Sequence, residues 1–475
     1  MYIARMKVMY RWCFLMVFLA CVLGIQAQSA FVYVDSISLT GNQRTRSEVV
    51  FRELKFKKGD SIAITTLEET LEESEQLVMN TGLFNQAHIS FKNWEGATNK
   101  VHIQVDVAET WFIYPVPVLE LVDRNFNVWW KEQNRSLDRL NIGIEFTHLN
   151  FTGRRDRLQL TAKYGYTRSY SIKYSLPFFN RHQTLGLDAE VSFARNRELN
   201  YLTEGNKQAF YKSTENDFLY QRFRTETSLI YRPGYHLFHS LRLRFEQNAV
   251  DEIVALELNP DFYLKGEKLQ RSFTLEYSFA YDRRDVRAYP LSGMLFSADV
   301  TKTGLGIFGV RNGLTLQANY DLYFPLSRRW SAGARMAGKL SLIRSLQPYN
   351  DYRAIGFGKN NLYGYELYII DGLDMALAKP FIRYQLFERV WNFGKIMPLK
   401  AFRSMPLKAF LSINNGLGYA NNPFTSQDNS FSNRMLWGGG VGLDIVLFYD
   451  KVIQIQYSFN HLFEKGLFLH VNMNI

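Results

Sequence analysis

The sequence predicts a mostly β chain: a transmembrane antiparallel β-barrel of about sixteen strands, preceded by one small α+β domain of order β-α-α-β-β. Three observations predict it. Past residue 27 no apolar run approaches the roughly 18 residues that a helical span needs, yet the 475 residues include 37 Phe, 28 Tyr and 8 Trp. Helical periodicity is confined to residues 47–80. From Trp111 to Ile475, segment after segment alternates apolar and polar side chains, so one face of each strand suits lipid and the other water.

Residues 1–27 read as a signal peptide. Arg5, Lys7 and Arg11 form a basic start, Trp12 to Ile25 is almost wholly apolar, and Ile25, Gln26 and Ala27 offer a cleavage site. A membrane anchor and a lipoprotein signal ending at Cys21 are the alternatives. The apolar stretch is short for a bilayer span, and Phe18, Leu19 and Ala20 fit lipid attachment poorly. Both cysteines, Cys13 and Cys21, fall in this segment. Cleavage after Ala27 would leave no thiol, which excludes disulfides, cysteine–zinc sites and thiol catalysis.

Residues 28–109 form the small domain. Residues 31–39 are β-rich, Gly41 and Asn42 turn the chain, and 47–54 is a short helix capped by Ser47 that Gly59-Asp60 breaks. Residues 66–80 form a longer helix with Leu67, Leu71, Leu77 and Val78 on one side, and Gly82 stops it. Residues 88–91 and 101–107 pair as strands around the polar turn 93–99. A module of about 80 residues is near the lower limit for independent folding.

Residues 110–475 form the barrel. Leu158, Leu160, Ala162, Tyr164 and Tyr166 alternate with Gln159, Thr161, Lys163 and Gly165, and Phe273 to Tyr281 does the same. So do residues 314–320, 453–459 and the final Leu467, Leu469, Val471, Met473 and Ile475. An open sheet in lipid would leave edge groups unpaired, so a closed cylinder is expected. At about 9 to 11 residues per tilted strand, this length accommodates roughly sixteen. The six residues 397–402 recur as 405–410, a duplication that lengthens one hairpin. The charge divides with the domains: eight basic residues against twelve acidic ones over 31–109 give −4, and the first 27 residues hold +3 of the chain's +11, leaving +12 on the barrel. A basic lumen or rim would attract acidic polypeptide or lipopolysaccharide phosphates, while solvated loops are the plainer reading.

Ile37 with Gly41, Asn42 and Thr45, then Gly59-Asp60, Leu71, Gly82-Leu83-Phe84 and a strand closing at Glu109 resemble a polypeptide-transport-associated (POTRA) domain. The resemblance implies either a sheet edge that takes up a client strand or a spacer that holds partners. Asn150, Phe151, Gly153, Asp156 and Leu158, then Tyr174, Pro177 and Phe178, begin a second set of matches. Tyr281, Asp282, Arg284, Asp285, Pro290 and Gly293 follow as a tight turn, and Gly440, Gly442, Leu443 and Tyr457 complete the set. Together they resemble the surface-antigen barrel of the BamA/TamA-like outer-membrane assembly superfamily. That implies an outer-membrane location with the POTRA domain in the periplasm.

The resemblance also implies a long loop folded into the lumen, carrying Val-Arg-Gly-Phe, whose arginine pairs with the aspartate of a wall motif Phe-x-Asp-x-Gly. Here the loop reads Leu362, Tyr363, Gly364, Tyr365, Glu366, and the best wall match is residues 412–416, with Asn414 at the aspartate position and Gly416 following. Both charges are replaced together. A lone charge left in such a site would cost roughly 3 to 5 kcal/mol. Tyr363 is therefore expected to point into the lumen near Asn414, bonded directly or through water, with Gly364 close to the wall. Ile475 departs from the terminal aromatic usual in that superfamily.

No constellation supports catalysis. The eight histidines (88, 102, 148, 182, 236, 239, 461 and 470) are scattered, and His236 and His239 would point to opposite faces of a strand. Asp282 and Asp285 read as turn and rim charges, and neither Gly-x-Ser-x-Gly nor a phosphate loop occurs. The expectation is a protein that is not an enzyme, with no cofactor and no nucleic-acid partner. Expected partners are outer-membrane lipid or lipopolysaccharide, unfolded outer-membrane or secreted polypeptides, and assembly-complex subunits. Two functions fit: insertion or translocation of polypeptides through a seam between first and last strands, and a non-inserting accessory subunit or passive channel.

Overall fold

The computed structural model describes residues 31–95, 98–180, 182–215, 217–309, 311–392, 394, 404–447 and 451–472. The expected signal segment 1–27, the first repeat copy 397–402, and Met473 and Ile475 lie outside the described residues. The chain divides into two compact units, one reaching Phe112 and including Thr152–Arg155, the other Ile113–Phe151 with Asp156–Ile475.

In the first unit, strand Phe31–Thr40 is followed by helix Ser47–Phe51, a short strand Ser61–Ala63, helix Ile64–Met79, and strands Phe84–Glu95 and Lys100–Glu109. Ser61–Ala63 was not expected; three residues are too few for alternation to register. Phe31–Thr40 and Lys100–Glu109 run parallel at the centre of the sheet, with Ser61–Ala63 and Phe84–Glu95 as its edges. Val32, Val34, Ile89, Val101, Ile103 and Val105 of the strands are buried, as are Leu67, Leu71 and Val78 of the long helix. The short helix is not capped by Ser47 as expected: Arg46 holds the cap position with no side-chain bond. The Ser47 hydroxyl instead accepts the Asn42 side-chain amide at 3.4 Å.

Gly41 has φ +88°, and a Cβ built there would lie 1.7 Å from the Val107 carbonyl oxygen. The left-handed backbone alone costs an ordinary residue about 1–2 kcal/mol, and the clash is with backbone that cannot rotate away. Gly41→Ala is expected to make residues 31–112 of the full-length protein much more susceptible to protease while leaving the barrel resistant; equal digestion of variant and wild type would refute this.

The second unit is a sheet of sixteen antiparallel strands in chain order, from Ile113–Leu121 to Lys465–Asn472. Two small hairpins, Glu198–Glu204 with Lys207–Lys212 and Arg353–Ile355 with Ile370–Asp371, stand outside it. Ile144, Ile172, Leu241, Tyr277, Ile413, Val441 and Leu467 are all exposed on the outer face. So wide an apolar belt is untenable in water and suits a bilayer. The inner face carries cross-strand ion pairs, Arg224–Glu246 at 2.5 Å, Arg242–Glu276 at 2.9 Å and Arg244–Glu226 at 2.9 Å. Tyr166 departs from its expected place in the outer stripe: it follows the strand Arg157–Gly165 and lines an interior cavity.

The sixteen strands are those the sequence predicts, and one junction between them stands apart. Among the described residues no ladder joins the first strand to the last. The phase of the first strand supplies a reason. Val122 N–H donates to the Arg139 carbonyl at 3.1 Å, directly beyond the register pair Leu121–Leu140. Even-numbered residues thus bond to the second strand, and odd-numbered ones from 115 to 121 direct their backbone groups to the opposite edge. Pro115 and Pro117 are odd-numbered. Proline has no N–H, so that edge lacks donors where a ladder would need them.

Candidate functional site: the lumen loop and its wall

The loop 342–373 between strands Trp330–Ser341 and Asp374–Asn392 folds back against the inner wall. Ile355, Leu362, Tyr365 and Ile370 of the loop form one buried cluster with Leu377, Ala420, Phe431 and Leu436. The Tyr365 hydroxyl bonds to His461 and donates to the Trp437 carbonyl at 3.2 Å. Asn460 donates its side-chain amide to the Gly364 carbonyl at 3.1 Å.

Glycines on both sides permit the approach. Gly364 has φ +81°, and a Cβ there would lie 2.4 Å from the Phe459 carbonyl. On the wall, a Cβ at Gly438 would lie 1.8 Å from the Tyr363 oxygen, and one at Gly416 would lie 2.6 Å from Leu362 Cδ1 and 3.3 Å from Tyr363 Cδ2. Loop backbone thus rests directly on strand backbone.

Tyr363 lies over Gly416, two residues from Asn414 on the same strand. A direct bond between Tyr363 and Asn414 is not formed. Asn414 donates its amide to Ser412 Oγ at 3.0 Å, and the Tyr363 ring lies 5.8 Å from Lys379 Nζ. Lys379 is the residue the sequence reading missed. Its buried ammonium donates to the carbonyls of Lys359 at 3.1 Å and Asn361 at 3.0 Å, and to Asn361 Oδ1 at 3.2 Å. The charge that holds the loop therefore sits on the wall and grips loop carbonyls. A Lys at alternate spacing in a strand is visible in sequence, but nothing there singles it out from other lumen charges.

Glu366 closes the motif. Its Oε1 accepts from Ser458 Oγ at 3.2 Å and lies 3.9 Å from His470 Nε2, while Oε2 is buried with no hydrogen-bond partner. Burial pushes this carboxyl up to about 7. The Glu366 carbonyl accepts from Asn125 Nδ2 at 2.7 Å, in the loop after the first strand.

At the other end of the sheet, Arg284 forks onto Asp282 at 2.8 and 2.9 Å, and Asp285 accepts the Leu291 N–H at 3.1 Å. Gly293 has φ +95°, and a Cβ there would lie 2.0 Å from the Arg283 carbonyl. This turn is more than the short rim connection read from sequence, because it reaches the far wall. The Tyr289 hydroxyl donates to Asp444 at 2.6 Å, and Arg383 donates to the Pro290 carbonyl at 2.9 Å. Tyr289 packs on Phe410 and Val452.

Of the small-domain motif, Gly82 has φ +73° at the end of the long helix, Leu83 and Phe84 are buried, and Asn42 donates to the Thr45 carbonyl at 2.9 Å. In the last strand, Leu467 faces outward with 63% of its surface exposed. Leu469 is bonded to Asn127, and Val471 lies within the strand. Among the described residues no helix is long and apolar enough to cross a membrane, which leaves crossing by strands untouched. None of the described His, Cys, Asp or Glu side chains gather in threes as a metal site.

Comparison with known proteins places these features. Residues 150–374 match the model of the Omp85 superfamily domain, and residues 32–110 match the POTRA model, described as a surface antigen variable number repeat. No curated protein matches the chain. Among solved structures, BamA from Haemophilus ducreyi lacking POTRA domains 1-3 is similar at 13% identity and a TM-score of 0.54, covering 93% of this chain and 84% of that one. CdiB from Acinetobacter baumannii is similar at 13% identity and a TM-score of 0.50, covering 93% of this chain and 73% of that one. At such identity both likenesses concern the fold.

Proposed function

Because this chain belongs to the Omp85 superfamily, an outer-membrane barrel family, and carries a POTRA domain on the periplasmic side, we infer that it inserts or translocates unfolded polypeptides sideways, through the seam between its first and last strands. The observation that carries this reading is that, among the described residues, no ladder joins the two strands at that seam. A sheet edge in lipid is otherwise costly, since its polar groups find no water. The packed lumen argues against a passive channel: the loop is bonded to one wall and the turn at Tyr289 to another. No nucleotide or cofactor is required, because burial of the client's apolar face and formation of its ladder supply the free energy.

The edge strand Phe84–Glu95 gives the POTRA domain a place for a client segment or an assembly subunit, although Glu75 already takes the Ile89 N–H. The outer belt meets outer-membrane lipid, lipopolysaccharide included. A second reading, an accessory subunit without insertion activity, is favoured by Tyr363 standing where the superfamily's loop has arginine.

Reconstitution into liposomes with a small urea-unfolded outer-membrane barrel as client separates the two. We expect faster client folding than in empty liposomes, and loss of that acceleration when a cysteine pair locks strand Ile113–Leu121 to strand Lys465–Asn472. Acceleration that survives the lock would rule out the seam; no acceleration at all would favour the accessory reading.

A further inference from the structure

Part of the lumen loop, between Pro348 and Phe357, walls a cavity of about 490 Å³ inside the barrel. The register carries its level around the sheet: Leu121 pairs with Leu140, Asn141 with Gly165, Thr167 with Asn196, Asn196 with Tyr220 and Tyr220 with Val250. This is the end of the strands remote from Ile113, where the chain arrives from the POTRA domain. With that domain in the periplasm, the cavity lies at the cell-surface end.

Seven arginines line it against four carboxylates, a surplus of three positive charges. The carboxylates are already engaged. Arg139 holds Asp123 and Glu198, Arg224 holds Glu246 at 2.5 Å, and Arg311 holds Asp351 at 2.7 Å. Arg244 turns to Glu226, 2.9 Å away. The other three guanidiniums have neutral partners or none among the described residues. Arg124 donates to the Gly356 carbonyl at 3.1 Å, Arg353 donates to Asn350 Oδ1 at 2.7 Å, and Arg222 makes neither an ion pair nor a hydrogen bond. Burial pushes the Arg124 guanidinium down to about 10, outweighing the charges of Glu132, Glu366 and Asp123.

Further groups of the lining are unspent. The Tyr263 hydroxyl is buried with no hydrogen-bond partner, and Gln208 and Gln270 make no side-chain hydrogen bond among the described residues. Apart from the two amide oxygens and the phenol oxygen, what the cavity has to offer is donors. A ligand that answers this lining brings acceptors and more than one negative charge. A phosphate ester does so: it carries nearly two charges at neutral pH and three oxygens that guanidinium forks match in geometry. A single carboxylate would leave most of the surplus unmet. Phosphate alone would leave most of the space unfilled, since a cavity of this size falls among small-molecule sites of about 300–1,000 Å³. The rings of Phe210, Phe262 and Phe357 and the amides of Gln208 and Gln270 suit the faces and hydroxyls of a sugar.

We propose that this cavity binds a phosphorylated saccharide at the cell-surface end of the barrel, with its phosphate among Arg124, Arg222 and Arg353. The assignment is independent of the seam. Two sources share the chemistry: the phosphate-bearing core of lipopolysaccharide in the surrounding leaflet, and a free sugar phosphate arriving from outside.

Isothermal titration calorimetry tests it on the full-length protein in phosphatidylcholine nanodiscs, in phosphate-free buffer at low salt. The probes are glucose-6-phosphate, glucose, inorganic phosphate, and the phosphate-bearing core oligosaccharide of lipopolysaccharide freed of its lipid. Glucose-6-phosphate should bind at least about tenfold more tightly than glucose or inorganic phosphate. Arg222→Gln, which breaks no ion pair or hydrogen bond among the described residues, should weaken that binding on the order of tenfold or more, as loss of a charge-assisted bond requires, and leave the thermal transition in place. Arg222→Lys, which keeps the charge and loses the fork, should fall between. Arg353→Gln, at the exposed mouth of the cavity, should weaken binding as well and serves the same purpose should Arg222→Gln fail to fold. Tighter binding of the core oligosaccharide than of glucose-6-phosphate supports the proposal with the glycolipid as source, and weaker binding supports it with the free sugar phosphate. Inorganic phosphate binding as tightly as glucose-6-phosphate would overturn the saccharide assignment. Affinity unchanged in both arginine variants would overturn the site, and no binding of any probe would overturn the proposal. Client folding in liposomes reads the seam alone and is unaffected by any of these outcomes.

Discussion

Lys379→Met is expected to free the lumen loop. The ammonium serves three acceptors on Lys359 and Asn361 from a side chain that is 5% exposed, and methionine fills similar volume without a donor. Two loop carbonyls, of the exposed Lys359 and the half-buried Asn361, would lose their protein donor, at about 0.5–1.5 kcal/mol each. Relief from burying a charge offsets part of this, so a net loss of about 1 kcal/mol in loop docking is the expected result. Since the glycine contacts at Gly364 and Gly438 demand a close fit, a loop that lifts even slightly forfeits them as well. Limited proteolysis between residues 356 and 369 should become rapid, and single-channel recordings should show openings rare in the wild type. A Lys379→Met protein with an intact loop and unchanged conductance would mean that apolar packing of Leu362 and Tyr365 alone holds it.

A larger loss of stability is expected from Arg139→Met. Arg139 is 3% exposed and contacts Asp123 with Nε at 2.9 Å and Nη2 at 2.8 Å. It also pairs with Glu198 and lies over the rings of Phe210, at 4.3 Å, and Tyr166, at 5.0 Å. Removing it strands two carboxylates, of which Asp123 is 1% exposed at its side chain. Breaking a buried pair by one partner costs about 3–5 kcal/mol. The thermal transition in detergent should fall markedly, and adding Asp123→Asn to Arg139→Met should recover part of the loss. No recovery in the double variant would show that Arg139 acts through its ring contacts.

The fold was open to reading because period-two alternation survives in nearly every strand and because the small domain carries its glycine punctuation in order. The loop was open for the same kind of reason: Gly364 marks a place where no Cβ fits. What held the loop was hidden. Lys379 acts on carbonyls twenty and eighteen residues away in sequence, a relation that exists only once the loop has turned back. Hidden for the same reason was the bond of Asn127 to Leu469, across 342 residues. Pro115 and Pro117 were in plain view, but their spacing becomes informative only when the phase of the first ladder is known. The helix cap was misjudged because Ser47 is a good cap in isolation, whereas its hydroxyl is engaged by Asn42.

The small domain's central pair is Phe31–Thr40 and Lys100–Glu109, its two ends, laid side by side in parallel. Such a sheet cannot be nucleated from either half alone, since its innermost strand is the last one made. During N-terminus-first export, the domain would stay an open chain until Glu109 has emerged and then close in a single step, with every barrel strand still to come. A truncation before Lys100 should therefore yield an unfolded segment and not a smaller folded one.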